Sequence, residues 1–170
     1  KIEEAKIDDA VKRILRTKFE LGLFDDPYKY CDEEREKTMI YHDDHMKAVL
    51  DIAKKSIVLL KNEDNLLPLP KSGKKVALIG ALADDKNSPL GSWRIASDDN
   101  TAISVLEGMK AYKGNELLHS AGPALVNGEV SFVMQVNINK DDRSGMEEAV
   151  ATAKDADVVV MVLGEHGFQS

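Results

Sequence analysis

The chain has 170 residues, and its 43% hydrophobic content is enough to build the core of one domain. Its 30 acidic side chains outnumber the 23 basic ones, and the resulting net charge of -7 argues against a nucleic-acid partner. No apolar run approaches the roughly 20 residues that a membrane-spanning helix requires, and a single cysteine, Cys31, excludes an internal disulfide.

The first predicted element is an amphipathic helix that ends near Gly22. Its apolar positions recur at helical spacing, at Ile7, Ala10, Val11, Ile14 and Leu15. Glycine readily adopts the left-handed conformation that terminates helices, so Gly22 is a suitable stop. The polar residues 25–37, which include Pro27, then predict an irregular linker.

A second helix is predicted before residue 57, with Asp43 or Asp44 as its N-cap. Residues 57–60 are apolar on every side and rich in branched side chains, which indicates a strand or a buried helix end. Two prolines, Pro68 and Pro70, interrupt regular pairing after this run. The compact apolar segment 75–80, closed by a glycine, is typical of the first strand of an open α/β sheet.

The rest of the chain continues the alternation of helices and strands. Two capping-box patterns, beginning at Ser104 and at Ser144, each predict the start of a helix. Residues 116–121 predict a short strand, and alternating apolar residues within 121–143 predict a small hairpin or an edge strand. The strand predicted at 157–163 is apolar on both faces. We therefore expect an open, mostly parallel sheet with helices on both faces.

Three ordered blocks resemble glycoside hydrolase family 3, in the variety typified by bacterial periplasmic β-glucosidases. They are IDDAVKRILRTKFELGLF at 7–24, SIVLLKNEDNLLPL at 56–69 followed by KVALIG at 75–80, and ADVVVMVLGE at 156–165. The resemblance implies that residues 1–24 are the last helix of a TIM-like barrel domain and residues 25–74 an interdomain linker and helix. Residues 75–170 would then be the first part of an α/β sandwich domain.

The same resemblance implies a retaining, exo-acting β-glycosidase that releases terminal β-linked sugars from oligosaccharides without a cofactor. Its nucleophilic aspartate would precede Lys1 and its acid/base glutamate would follow Ser170, so the chain is expected to be an inactive internal fragment with no catalytic residue of its own. Its expected partners are the sugar substrate and the remaining segments of the same protein, in the periplasm or outside the cell. A homo-oligomer is a further expectation, since an uncovered sheet edge favours association.

The residues expected to contact the substrate are Trp93, Ser92 and Glu165. The Trp93 loop resembles the family's Gly-x-Trp loop, and a flat indole can stack on a sugar ring, or instead fill the interface between domains. Glu165 follows a strand end and is expected to support the active-site loop rather than to transfer a proton. Polar neighbours of Trp93, namely Arg94, Asp98 and Asp99, are weaker candidates because such residues commonly face solvent.

The sequence also permits two other interpretations of its function. One is a Rossmann-like module that binds a nucleotide or small ligand without hydrolase activity, although the glycines that approach a pyrophosphate are missing after Gly80. Another is a scaffold whose loops bind nothing. His166 could titrate near neutrality, but a loop histidine is usually only a polar surface residue. The acidic and histidine residues at 42–45 fit no zinc pattern, and Cys31 is expected to be an inert thiol.

Overall fold

The computed structural model describes residues 2–94, 100–131 and 133–169, and the chain divides into two compact units, Lys1–Asn62 and Glu63–Ser170. We call the first the helical unit and the second the sheet unit. The helical unit contains three helices, α1 (Glu4–Glu20), α2 (Glu33–Met39) and α3 (Asp43–Ser56). Within these three described helices no residue is buried.

The first helix ends as its sequence predicts. Gly22 takes a left-handed conformation with φ 74°, and the next residue, Leu23, donates its backbone N–H to the carbonyl of Lys18 at 3.0 Å. This bond satisfies one of the carbonyl groups that the end of a helix leaves without a partner. The glycine stop is therefore confirmed.

The linker prediction for residues 25–37 was wrong in its second half, where α2 begins. The Asp32 side chain caps this helix by accepting a hydrogen bond from the backbone N–H of Arg35 at 3.0 Å. The helix has charged residues around much of its surface, so it lacks the apolar stripe from which helices are predicted. The predicted cap of α3 was also wrong, by one residue: His42 Nδ1 accepts from the backbone N–H of Asp44 at 3.3 Å.

The apolar run at residues 57–60 forms neither a strand nor a buried helix end. It follows α3 as irregular backbone, and its four side chains are between 63% and 91% exposed. Branched apolar residues favour strands only where neighbouring backbone can pair with them. The composition of the run therefore predicted the wrong local structure.

The sheet unit is built on three parallel strands in the order β2-β1-β3. They are β1 (Ser72–Ile79), β2 (Gly114–Ser120) and β3 (Val158–Met161). In the register of the sheet, Val76 lies opposite Leu117 on one side and Val158 on the other. The central strand is the core of the unit, because its residues from Val76 to Ile79 are at most 7% exposed. This confirms the predicted open parallel α/β sheet.

Helices cover both faces of the central strand. Successive side chains of a strand point to opposite faces, and Leu78 packs with Leu106 of α4 (Val105–Lys110), whereas Ala77 and Ile79 pack with Ala149 of α5 (Met146–Lys154). The capping box of α4 is present, with Ser104 accepting from the N–H of Glu107 and the Glu107 side chain accepting from the N–H of Ser104.

The prediction of a second capping box, beginning at Ser144, was wrong. The N-cap of α5 is Gly145, with φ 83°, which has no side chain to bond the helix. Ser144 lies one residue before the cap position, and its hydroxyl donates to Asp142 at 2.6 Å.

The outer parts of the sheet unit differ from the sequence expectation in two places. The third strand is shorter than predicted and only half-covered, with Val159 43% and Met161 60% exposed. The predicted hairpin within 121–143 is reduced to one antiparallel bridge between Val126 and Ile138, and one residue of its alternating pattern, Phe132, lies outside the described residues. A short alternating pattern evidently does not suffice to form a regular hairpin here.

Candidate functional site

The candidate site lies at the edge of the sheet where the three parallel strands end. We call residues 80–94 the β1 loop and residues 162–169 the β3 loop, since they follow those two strands. In an open α/β sheet the carboxyl ends of parallel strands meet at one edge, and ligands usually bind there. The predicted residues Ser92, Trp93 and Glu165 are all on these two loops.

The indole of Trp93 is available to a ligand, because 89% of the residue is exposed. It lies shortly after the short 3-10 helix Ser88–Leu90, at a bend that Gly91 makes with φ 75°. The neighbouring Ser92 is half-buried. An exposed indole on a structured loop offers the flat apolar surface that stacks on sugar rings.

An aromatic contact joins the two loops beside Trp93. The guanidinium carbon of Arg94 lies 5.0 Å from the centroid of the Phe168 ring, which is a cation–π distance. Arg94 is thus one of the residues that connects the loops. The other polar neighbours proposed from the sequence, Asp98 and Asp99, lie outside the described residues.

A second connection between the loops was not predicted from the sequence. The Asp85 carboxylate accepts hydrogen bonds from the backbone N–H groups of Asn87 and Ser88, at 2.7 and 2.9 Å, and from the Ser88 hydroxyl at 2.5 Å. The same hydroxyl oxygen accepts from the backbone N–H of Gly167 at 3.1 Å. An aspartate three residues before a serine does signal a local turn. The contact with Gly167, 79 residues further on, has no sequence signal.

The pKa of Asp85 lies below its ordinary value. Partial burial alone would raise the pKa of this carboxyl, but the hydrogen bonds from Ser88 and Asn87, with the nearby His166, outweigh that effect and favour the charged form. At neutral pH Asp85 is therefore a carboxylate with its hydrogen-bonding capacity largely used by the loop. It is poorly suited to donate a proton to a substrate.

The two neighbouring titratable residues of the β3 loop differ in their surroundings. Glu165 is exposed, and within the described part of the chain its carboxylate takes part in no hydrogen bond or ion pair. His166 is half-buried. Its backbone N–H donates to the side-chain oxygen of Gln169 at 2.7 Å, and its imidazole Nδ1 accepts from the backbone N–H of Phe168 at 3.2 Å. His166 therefore shapes the loop, which is more than the expected polar surface role.

A mainly apolar cavity of about 260 Å³ lies next to the loops, between the ends of β1 and β3 and the start of α5. One wall of it depends on Gly80, whose φ is 130° and where an added Cβ would lie 2.3 Å from the carbonyl oxygen of Val162. Only glycine allows β1 and β3 to approach so closely at this point.

The described residues hold no group of three His, Cys, Asp or Glu side chains that could bind a metal ion. Among the helices that can be described, none has the length and apolar character needed to cross a membrane. What the site offers is an exposed aromatic surface, a free carboxylate and two interlocked loops. This set suits binding of a polar ligand with apolar faces.

Comparison with known proteins identifies the family. Residues 57–169 match the family described as Glycosyl hydrolase family 3 C-terminal domain. The chain belongs to glycosyl hydrolase family 3, which confirms the resemblance seen in its three sequence blocks.

Curated relatives agree with this membership. The chain is 36% identical to a periplasmic beta-glucosidase of Salmonella typhimurium, over 97% of the chain and 23% of the relative. It is 34% identical to a beta-xylosidase of Formosa agariphila, over 93% of the chain and 21% of the relative. The chain thus spans less than a quarter of the length of these relatives.

Solved structures show the same fold. A β-glucosidase from Erythrobacter marinus matches 98% of the chain with a TM-score of 0.80 at 32% identity, the chain covering 23% of that structure. The β-glucosidase from Listeria innocua in complex with isofagomine matches 98% with a TM-score of 0.76 at 29% identity, and 21% of it is covered. The structural similarity therefore extends along nearly the whole chain.

Proposed function

We propose that the chain is part of a retaining, exo-acting β-glycosidase that releases terminal β-linked sugars, and that its sheet unit forms one wall of the sugar site. The observation that carries this proposal is the family match over residues 57–169. The fold alone would be too weak a basis for this proposal, because α/β sheets host many unrelated activities. Family membership also favours this function over a nucleotide-binding module or an inert scaffold.

Hydrolysis with retention needs two carboxyl groups about 5–5.5 Å apart, one acting as nucleophile and one as acid and then base. The two carboxylates at the candidate site fit neither role well. Asp85 is held as an anion by its own loop, and Glu165 has no hydrogen bond among the described residues to orient it. We therefore assign both reacting groups to other parts of the protein and no catalytic residue to this chain.

The proposed substrate contacts are Trp93, Ser92 and Glu165. A sugar ring presents C–H groups on its faces and hydroxyls on its rim, so an exposed indole can stack on a face while a hydroxyl and a carboxylate bind the rim. The 89% exposure of Trp93 supports this role. Glu165, exposed on the adjoining loop, is free to accept hydrogen bonds from sugar hydroxyls.

Several properties of the complete protein belong to the same proposal. Residues 1–24 would close a barrel domain and residues 25–74 would lead into the sandwich domain. The name of the Salmonella relative supports a periplasmic or secreted location. The partners would be β-linked oligosaccharides and the other segments of the same protein, with no cofactor, and a homo-oligomer would be compatible with the half-covered β3 strand.

The test is turnover of nitrophenyl glycosides by the full-length protein. We expect hydrolysis of the β-glucoside, with the β-xyloside as the second substrate because both activities occur among the relatives, and none of the α-glucoside. Absence of turnover of every β-glycoside in the panel would overturn the proposal.

The same assay tests Trp93. Replacing it (Trp93→Ala) should raise KM about tenfold, the loss expected when a stacking surface is removed. The matched control is Tyr112→Ala, since Tyr112 is also an exposed aromatic but lies just after α4, near the opposite end of β1. An unchanged KM for Trp93→Ala, or an equal rise for both variants, would remove Trp93 from the sugar site.

A further inference from the structure

The hydroxyl group of Ser88 forms hydrogen bonds with both the β1 loop and the β3 loop. Ser88 Oγ donates its proton to Asp85 at 2.5 Å and accepts from the N–H of Gly167 at 3.1 Å. We call Asp85, Ser88 and Gly167 the loop relay. A hydroxyl has a single proton, so donation to Asp85 fixes its rotation and turns its lone pairs toward Gly167.

Gly167 makes the relay possible because its backbone lies directly against Ser88. A Cβ added at Gly167 would lie 2.8 Å from the Ser88 Cα and 3.0 Å from the Ser88 carbonyl oxygen. The end of a flexible side chain could rotate away from an added Cβ, but these backbone atoms of Ser88 cannot. Any larger residue would therefore push the β3 loop away from the β1 loop.

We propose that Asp85 and Ser88 are positioning residues for the glycosidase reaction, because they hold the β3 loop in a fixed place beside Trp93. This inference rests on the proposed function. Trp93 follows Ser88 by five residues in the sequence, and the next residue, Arg94, contacts Phe168 of the β3 loop at 5.0 Å. The segment from Ser88 to Arg94, which carries Trp93, is thus attached to the β3 loop at both of its ends. These two contacts limit how far the indole can move away from the β3 loop when a sugar binds.

The chain contains a matched control for the relay. Asp142 also accepts from the N–H and the hydroxyl of a nearby serine, Ser144, at 2.9 and 2.6 Å. This second pair has the same chemistry but lies just before α5, and no described residue of the β3 loop bonds to it. Effects that come only from losing an Asp–Ser turn should therefore appear equally in both pairs.

The first experiment measures kcat/KM of the full-length protein on its best nitrophenyl β-glycoside. Ser88→Ala should lower kcat/KM about tenfold or more, since small misplacements of a binding surface are costly, while Ser144→Ala should stay within about twofold. Ser88→Thr, which keeps the hydroxyl, should recover most of the activity. Equal losses in the two alanine variants, or no recovery with threonine, would overturn the proposal.

The second experiment reads the relay directly by hydrogen exchange of backbone amides. In Ser88→Ala the Gly167 amide should exchange at least tenfold faster, while the amides of β1 keep their protection. Asp85→Asn, with Asp142→Asn as its control, gives a second route if Ser88→Ala does not fold. Unchanged exchange at Gly167 in the relay variants would overturn the inference. This readout needs no substrate, so it is independent of whether the proposed activity is found.

A third comparison uses glycine. Gly167→Ala should reduce kcat/KM and accelerate exchange in the β3 loop. Gly108→Ala should do neither, because beyond its chain neighbours and its own helix no described atom lies within 4 Å of the added Cβ. Combining Gly167→Ala with Ser88→Ala should cost less than the sum of the two, because both act on one contact. Full additivity would contradict a shared relay.

Discussion

The helical unit and the sheet unit both contain regularly placed apolar residues, but these residues differ greatly in burial. Ile14 of α1 and Leu50 of α3 are 59% and 55% exposed, whereas Leu78 of β1 is fully buried. Periodicity determines which side chains share a face, and burial requires a second surface opposite that face. In the sheet unit the second surface comes from segments distant in sequence, such as Leu106 for Leu78.

The largest expected difference between the two units concerns one type of substitution, leucine to alanine, made once in each unit. Leu78→Ala should lower the free energy of unfolding by about 2–5 kcal/mol, because it leaves a cavity in the core. Leu60→Ala, at a residue that is 91% exposed, should change it by less than about 0.5 kcal/mol. Urea unfolding followed by far-UV circular dichroism measures both, since the only tryptophan of this chain, Trp93, is exposed and would report the unfolding poorly.

Similar losses in the two leucine variants would contradict the difference in burial. They would mean that residue 60 is as well packed in solution as residue 78, and that the helical unit has its own core. A large loss for Leu60→Ala in the full-length protein alone would show that other segments cover the run at 57–60.

The helix caps provide a smaller test of the same difference. Ser104 is 2% exposed and bonds both the Glu107 N–H, at 3.0 Å, and Asp84, at 2.9 Å. Ser104→Ala should therefore cost about 1–2 kcal/mol, at the upper end for N-caps. Asp32→Ala, which removes the exposed cap of α2, should cost about 0.5–1 kcal/mol. An equal or larger loss for Asp32→Ala would show that burial does not strengthen the cap.

Much of the fold could be predicted from the sequence, and the successes share a physical reason. The strand β1, the capping box at Ser104 and the stop at Gly22 are local signals, since each depends on residues within a few positions. The errors also have reasons. Helix α2 has no apolar stripe, residues 57–60 do not pair with a strand, and α5 begins one residue later than the Ser144 pattern predicts.

The candidate site was predictable only in part. A tryptophan in a loop with glycine and serine beside it, and a glutamate after a strand end, could be singled out from residue type and position alone. The link from Ser88 to Gly167 could not, because the two residues meet only when β1 and β3 become neighbours in the sheet. Contacts of this kind depend on topology, which no local pattern encodes.

The smallest expected effect concerns pH. The folded-state pKa of Asp85 lies below the ordinary value of 3.8, so as the pH falls the unfolded chain binds a proton before the folded protein does. The stabilisation from Asp85 is thus fully present above about pH 4 and is lost as the pH falls through the folded-state pKa. Asp85→Asn should therefore flatten the acid side of the stability profile, measured by urea unfolding between pH 7 and pH 2.

A control for the change from aspartate to asparagine itself comes from the helical unit. Asp51 pairs with Lys55 at 2.6 Å, but the two side chains are 60% and 74% exposed. An exposed pair of this kind contributes little, so Asp51→Asn should change the free energy of unfolding at pH 7 by less than about 0.5 kcal/mol. If Asp85→Asn leaves the acid limb as steep as in the unmodified protein, the hydrogen bonds from Ser88 and Asn87 do not stabilise the charged carboxylate in solution. In that case the Ser88–Asp85 hydrogen bond would not hold the Ser88 hydroxyl in the orientation that the loop relay requires.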